Sequence, residues 1–454
     1  MTDSVTLALV VAGCAIVCSL ATVWHTWRGI QSVLTPALLL PACYLGAVYA
    51  GDIEWAFIEN DPRPIIIPAL AVLGWCLGSA AASPALAPKR LPFPWERLDG
   101  PAERRNVIVG GFVLVAAGLL AAFAYYVLIG VVPLWQGIIS IFADVPSGAG
   151  MHDVRRRITP GHRLGDVPYI GQGYWRVFYF RLLPIGAALL WLIARHRKTH
   201  RRSCAVLLLG VVTINMLDGR IWMGIQVSLF FAIVILSSRI WGKAPHSLRA
   251  IRTASQWALG TAILVVSIVS GYRYLQHISG RSYDDWVGNL VRRLFVQPSG
   301  RLFTMFPDLE AYRLGSTWLH DFRGFLPGTH RSFAYEVHHL VHGTGWGYTL
   351  SPTLPGSFHA NFGPLGVLGG MLLLGILVGF TYRSLAFIKG PLGIALTAHF
   401  SMTIALAVLS DITAIVMSYA ILGIVAALIY IIRLFRVAPS PERVHAMWSP
   451  RDIQ

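Results

Sequence analysis

Apolar residues recur along this chain in runs, many of roughly 17–24 residues, with little or no charge inside them. That is the length of helix that crosses a bilayer core at about 1.5 Å per residue. The pattern predicts eleven spans, over 5–24, 34–50, 64–82, 107–129, 178–194, 204–217, 221–237, 257–271, 365–381, 392–409 and 414–432. The sixth and eighth are short, and the fifth carries Arg181 toward one end. No repeat of fixed period and no separate soluble domain is evident, so residues 1–454 read as one all-α polytopic membrane domain. Two segments between spans are long. One covers 130–177, and the other, over 272–361, is too long for a structureless connection and is expected to be partly helical.

Composition agrees with a membrane protein and excludes other classes. Hydrophobic residues make up 55% of the 454 and charged residues only 13%, where soluble domains carry about 25% charged. A soluble multidomain enzyme, a disordered chain and a disulfide scaffold are thereby excluded. The five cysteines, Cys14, Cys18, Cys43, Cys76 and Cys204, all fall in or beside apolar runs, which predicts packing residues and no disulfide framework.

A net charge of +16 on a soluble protein would point to nucleic acid. Here the placement of charge says otherwise. Alternate loops hold 21 of the 37 basic residues, among them Arg28, the 89–105 group, the 195–202 group and the tail. By the positive-inside rule that side is cytoplasmic. Asp3 and the lack of Lys or Arg before the first span argue against a signal peptide and put the N-terminus outside. Eleven spans then leave the C-terminus inside. The other 16 basic residues are all arginine, and most lie in the two long outer segments. A guanidinium fork suits phosphate better than an ammonium does. No nucleic-acid partner is expected.

The first outer segment runs from Gly130-Val-Val-Pro-Leu-Trp135 through Arg155-Arg156-Arg157 to Gly171-Gln-Gly-Tyr-Trp-Arg176. The arginine triplet, with Arg156 at its centre, reads either as a solvated patch near headgroups or as an anion-binding loop. In the second segment, Ser282-Tyr-Asp-Asp285 resembles a capping box and Pro298 closes the helix that it opens. Trp286, Leu290 and Leu294 gather on one side of that helix, Arg292 on the other, and Arg293 at the edge. A second helix is expected over Phe333–His342, with Phe333, Val337, Leu340 and Val341 on one face and His338, His339 and His342 opposite. Both helices are expected to lie at the membrane boundary, apolar face down, Arg or His face toward an aqueous cavity. The histidine face admits a headgroup-contacting role or a general-base role. A zinc site is not expected, because neither an H-E-x-x-H motif nor a cysteine accompanies it.

Polar residues also interrupt the apolar runs. Asp218-Gly219-Arg220 makes an outer turn between two spans, where Arg220 either pairs with Asp218 or binds an anion. His399 inside the tenth span reads as a packed core histidine. Glycines at 363, 366, 369 and 370 are expected to let helices approach closely.

Taken together, Gly130-Val-Val-Pro-Leu, Gly171-Gln-Gly-Tyr, the Gly219-Arg220 turn and Ser357-Phe-His-Ala-Asn-Phe-Gly-Pro-Leu-Gly366 resemble bacterial oligosaccharide repeat-unit polymerases, the O-antigen and exopolysaccharide (Wzy-type) family. The resemblance implies a GT-C-like membrane glycosyltransferase of the bacterial inner membrane. Such an enzyme transfers a glycan from undecaprenyl diphosphate to a sugar hydroxyl of another lipid-linked repeat unit at the periplasmic face. It implies no cofactor and no metal, and as partners the lipid-linked oligosaccharide, membrane lipids, a chain-length regulator and a flippase. Arginines of the family hold the diphosphate. Arg220 matches the turn arginine, and Arg281, Arg292, Arg293, Arg301 and Arg156 are further diphosphate-binding candidates. For the acceptor hydroxyl the candidates are His338, His339 and His342, then His359. Two alternatives stand beside this reading: an O-antigen ligase-like transferase, and a lipid-linked oligosaccharide transporter. Ala360 between His359 and Asn361 departs from the ligases' adjacent His-Asn pair. Arg220→Ala is expected to abolish glycan polymerisation in cells, read as loss of the glycan ladder on a gel; an unchanged ladder removes Arg220 from the site.

Overall fold

The computed structural model describes residues 2–27, 34–83, 101–135, 172–197, 200–218, 221–240, 300–305, 312–323, 333, 336–337, 352–386, 388, 390–410 and 412–434. Among the described residues there are helices and no strand. They are α1 (Thr2–Thr26), α2 (Pro36–Ala47), α3 (Tyr49–Glu59), α4 (Arg63–Ala81), α5 (Pro101–Ile129), α6 (Gln172–Arg197) and α7 (Arg201–Met216). There follow α8 (Ile221–Ile240), α9 (Gly300–Met305), α10 (Ser316–Arg323), α11 (Leu354–Ala386), α12 (Gly390–Ala407) and α13 (Ile412–Leu434).

The chain is an all-α polytopic membrane protein. Six helices, α1, α4, α5, α6, α11 and α12, are long and apolar enough to cross a membrane. The pair α2 and α3, taken together, is also long and apolar enough, and α7, α8 and α13 hold shorter apolar stretches. Ten of the eleven expected spans coincide with helices; the eighth, 257–271, lies outside the described residues.

The second expected span, 34–50, is not one straight helix. It breaks at Val48, and α3 continues at an angle of 46°. Side chains hold the bend. The Tyr44 hydroxyl in α2 donates to the fully buried Asp52 carboxylate in α3 at 2.6 Å. Pro41 has no N–H for the Ala37 carbonyl four residues earlier, and the Trp75 indole of α4 donates to that carbonyl at 3.1 Å.

Two glycine-mediated crossings build the halves of the bundle. Gly74 and Gly78 on α4 meet the Leu368 and Leu372 backbone of α11, and a Cβ at Gly375 would lie 2.5 Å from the Trp75 carbonyl oxygen. On the other side, a Cβ at Gly118 of α5 would lie 2.6 Å from Leu183 Cβ of α6. One at Gly186 would lie 2.8 Å from the Val115 nitrogen. Small residues permit this because lipid supplies no hydrophobic drive between helices, so close packing must. One apolar core joins α1–α4 to α11, and the second joins α5–α8 to α12 and α13. Between them stands α12, whose apolar window is 94% buried. It packs against α2, α6, α8, α11 and α13.

The expected glycine stripe on α11 is corrected by the structure. Gly369 meets nothing within 4 Å, while Gly366 and Gly370 face Phe362 and Phe358 of the helix's own first turns. Gly363 (φ 67°, ψ −167°) is a hinge that divides α11 in two. The helix–helix glycines lie further along α11, at 375 and 379. Placing leucine at Gly78 or Gly375 is expected to cost about 1–3 kcal/mol or more through overpacking. Leucine at Gly369 is expected to leave stability unchanged; thermal unfolding in detergent reads the difference.

Candidate functional site

Three of the motif segments converge at one corner of the bundle. Gly130, in the left-handed region at φ 67°, ends α5, its N–H donating to Tyr126 O at 3.0 Å. The chain then turns so that Leu134 N donates to Leu217 O at 3.0 Å, at the end of α7. The start of α6 closes the third side, where Arg176 interacts with Tyr125 of α5 and lies in the field of Asp218 just after α7.

At the centre is Asp218, 1% exposed. The Tyr125 hydroxyl donates to its Oδ1. Arg176 lies in the field of Asp218 and interacts with Tyr125 and Tyr179. The rings of Tyr125, Tyr126 and Tyr179 stack around one another with centroids 5.1–6.1 Å apart. Tyr126 donates to Ile214 O at 3.2 Å. A buried carboxylate requires such a partner set. The sequence motif assigned Asp218 to Arg220, or left it unpaired; its described partners are Tyr125 and Arg176. Arg220 itself lies outside the described residues.

Five residues further along α6 is Arg181, about 7.5 Å deeper and about 140° around the helix from Arg176 at 1.5 Å and 100° per residue. The two arginines therefore serve different surroundings. Arg181 Nη1 donates to Thr403 Oγ1 of α12 at 2.9 Å, and its guanidinium lies 4.8 Å from the centroid of the Phe180 ring. Thr403 donates in turn to the carbonyl of His399, one turn earlier on the same face of α12. Among the described residues Arg181 has no carboxylate partner. His399 is the expected packed histidine: 2% exposed, edge-on to Phe230 at 5.9 Å, with no hydrogen-bond partner at Nε2 among the described residues.

A second constellation covers one end of α11. Pro364 offers no N–H to the Ala360 carbonyl, and the hinge at Gly363 withdraws the donor that Asn361 would have had. Arg313 N donates to Ala360 O at 2.9 Å and Leu314 N to Asn361 O at 3.0 Å instead. The Asn361 side chain completes the joint, accepting from Gly315 N at 2.9 Å and donating to Thr317 Oγ1 at 2.6 Å. Leu314 (φ 47°) and Gly315 (φ 87°) adopt left-handed geometry to make this docking. His359, 1% exposed, lies between the rings of Phe303 and Tyr312, its Nε2 3.2 Å from the Phe303 carbonyl. A carbonyl only accepts, so Nε2 carries the proton. In this arrangement His359 ties α9 to α11.

The helix expected over Phe333–His342 is described only at 333, 336 and 337, which are helical. Its described apolar residues face protein. Phe333 and Val337 are buried against Leu302 and Ala360, because the outer segment has a small core of its own. Asp321 accepts from Phe333 N at 2.7 Å, and Arg313 pairs with Glu336 at 2.8 Å. His338, His339, His342, Arg156, Arg281, Arg292 and Arg293 lie outside the described residues. Arg301 falls on α9 with its side chain outside them.

Arg176 and the tyrosine cage were not singled out by sequence reasoning, although Arg176 closes the Gly171-Gln-Gly-Tyr-Trp-Arg motif. An intramembrane charge was the available signal for Arg181. No family model matches this chain, and neither a curated protein nor a solved structure matches it. Removing the carboxylate with Asp218→Ala strands Arg176 and is expected to cost about 3–5 kcal/mol. Tyr125→Phe is expected to cost about 1 kcal/mol, both read by thermal unfolding in detergent. A double replacement, Asp218→Leu with Arg176→Met, should recover part of the loss.

Proposed function

We propose that the protein is a GT-C-like membrane glycosyltransferase. It polymerises undecaprenyl-diphosphate-linked oligosaccharide repeat units into O-antigen or exopolysaccharide. In this reading eleven spans place the N-terminus in the periplasm and the C-terminus in the cytoplasm of an inner-membrane protein. The observation that carries it is Arg181. A guanidinium inside a span is costly, and its described partners, one hydroxyl and one aromatic face, bear no negative charge. Such a cation suits an anionic group on a lipid, and a lipid diphosphate is the anion that the motif resemblance supplies.

The chemistry follows from that assignment. An acceptor sugar hydroxyl attacks the anomeric carbon of the donor glycan. A new C–O bond forms, the C–O bond to the diphosphate breaks, and undecaprenyl diphosphate leaves with the electron pair. Cationic donors stabilise the charge developing on the leaving oxygen. Arg181 and the turn residue Arg220 take that role here. The hydroxyl proton passes to a base, for which the His338, His339 and His342 face remains the first choice. His359 is better suited to holding the α9–α11 joint than to meeting substrate, given its burial.

One observation favours a second reading, a lipid-linked oligosaccharide transporter. The bend between α2 and α3 and the hinge in α11 are discontinuities of the kind that line transporter sites. Reconstitution of the whole chain in vesicles with a lipid-linked repeat unit separates the two. The polymerase yields a ladder of longer glycans; the transporter yields movement of the lipid without a ladder. Arg181→Ala is expected to lose ladder formation by at least about a hundredfold, as for loss of a charge-stabilising donor. Arg181→Lys should retain part. Full activity in Arg181→Ala removes Arg181 from the site.

A further inference from the structure

The outer platform has a face that packing leaves open. On α10, Thr317 and Asp321 stand one turn apart and are 3% and 5% exposed, bonded to Asn361 and to Phe333 N. Trp318 turns toward the start of α11, its indole donating to Ser357 Oγ at 2.9 Å and its ring 5.2 Å from both Phe358 and Phe362. That leaves the opposite side with Leu319 62% exposed, and the preceding turn with Leu314 76% exposed. His320 is exposed beside them, as is Arg313, which pairs with Glu336 at 2.8 Å.

These leucines are not scattered. Along α11 beyond its hinge the exposed apolar side chains Leu365, Leu373, Leu377 and Phe380 fall within about 120° of one another at 100° per residue, and the exposed Phe362 stands just before the hinge. Gly315 sits against the Phe362 ring, at 3.6 Å from where its Cβ would be. Gly315 immediately precedes α10, and Leu319 in the first turn donates its N–H to Gly315 O at 3.3 Å. Through Gly315 and Trp318, which pack on Phe362, the exposed Leu314 and Leu319 adjoin the exposed stripe of α11 at its hinge. Apolar side chains backed by a polar, protein-facing side and flanked by basic groups are what an interfacial helix requires.

We propose that α10 and the turn at 313–315 rest in the headgroup layer of the bilayer, with Leu314 and Leu319 dipping among the lipid chains and His320 and the Arg313–Glu336 pair at headgroup level. The occupant of this face is the phospholipid surface. The docking holds the platform that carries Ser357, His359 and Asn361 at a set height over the membrane. It stands independently of the activity proposed above. Sequence periodicity assigned the interfacial role to the 333–342 helix, whose described apolar residues are instead buried in protein.

Trypsin cuts after Arg313 and Arg323, so α10 is released as the single peptide 314–323. The whole chain, reconstituted in phosphatidylethanolamine–phosphatidylglycerol vesicles doped with a phospholipid bearing a diazirine near its headgroup, is irradiated, digested and read by mass spectrometry. Lipid adducts are expected on 314–323 as well as on the peptide carrying α11. A Leu314→Gln, Leu319→Gln double variant should lose the adduct on the α10 peptide while keeping that on α11 and its unfolding temperature. Labelling of α11 without labelling of 314–323 in the native sequence overturns the proposal. A Leu319→Cys variant that forms chain-to-chain disulfides on oxidation, with no lipid adduct on 314–323, overturns it in favour of a second copy of the chain.

Discussion

Inside a bilayer no water satisfies a backbone group that loses its partner, so every break in a helix must be answered by something else in the protein. Three breaks organise this fold. Pro41 frees the Ala37 carbonyl and the Trp75 indole takes it. Val48 divides the second span, and the Tyr44–Asp52 bond bridges the two pieces. Gly363 and Pro364 free the Ala360 and Asn361 carbonyls, and the 313–315 turn docks onto them. The last of these fixes more than a local bond. It sets where α10 lies, what Asn361 and His359 can touch, and how the outer segment joins the membrane helices.

The rest of the bundle is organised by how closely backbones approach. Where Gly74, Gly78 and Gly375 meet, α4 and α11 touch backbone to backbone; Gly118 and Gly186 do the same for α5 and α6. Each pair forms the spine of one apolar core, and α12 fills the seam between the cores. A polar side chain on α12 is therefore necessarily internal. Thr403 meets Arg181 and His399 meets Phe230 for that reason, without any special local sequence.

Two arginines on one helix illustrate how surroundings divide similar residues. Arg176, near the start of α6, lies in the field of Asp218 within a cage of tyrosines at the corner where α5, α6 and α7 meet. Arg181, deeper and turned toward α12, has neutral partners among the described residues. The first arginine is accounted for by structure. The second has no acidic partner among the described residues, which is why it is the residue through which an anionic lipid-linked substrate is proposed to bind.

By itself the sequence determined that this is an all-α membrane protein and where most spans lie, because a run of apolar residues needs no partner to prefer lipid over water. His399 as a core residue was legible for the same reason. The tertiary structure decided what depends on neighbours. Of the many glycines, only those opposite a backbone are contact glycines, and nothing in the pattern of 363, 366, 369 and 370 distinguishes them from 74, 78 and 375. The buried face of Phe333 and Val337 looks like a membrane-seeking face until Leu302 and Ala360 are seen to cover it. Asp218 sits two residues from Arg220 in the chain, but the partners it is given, Tyr125 and Arg176, come from 93 and 42 positions away. Amphipathic periodicity states that a face must be covered, whereas only packed helices settle whether protein or lipid covers it.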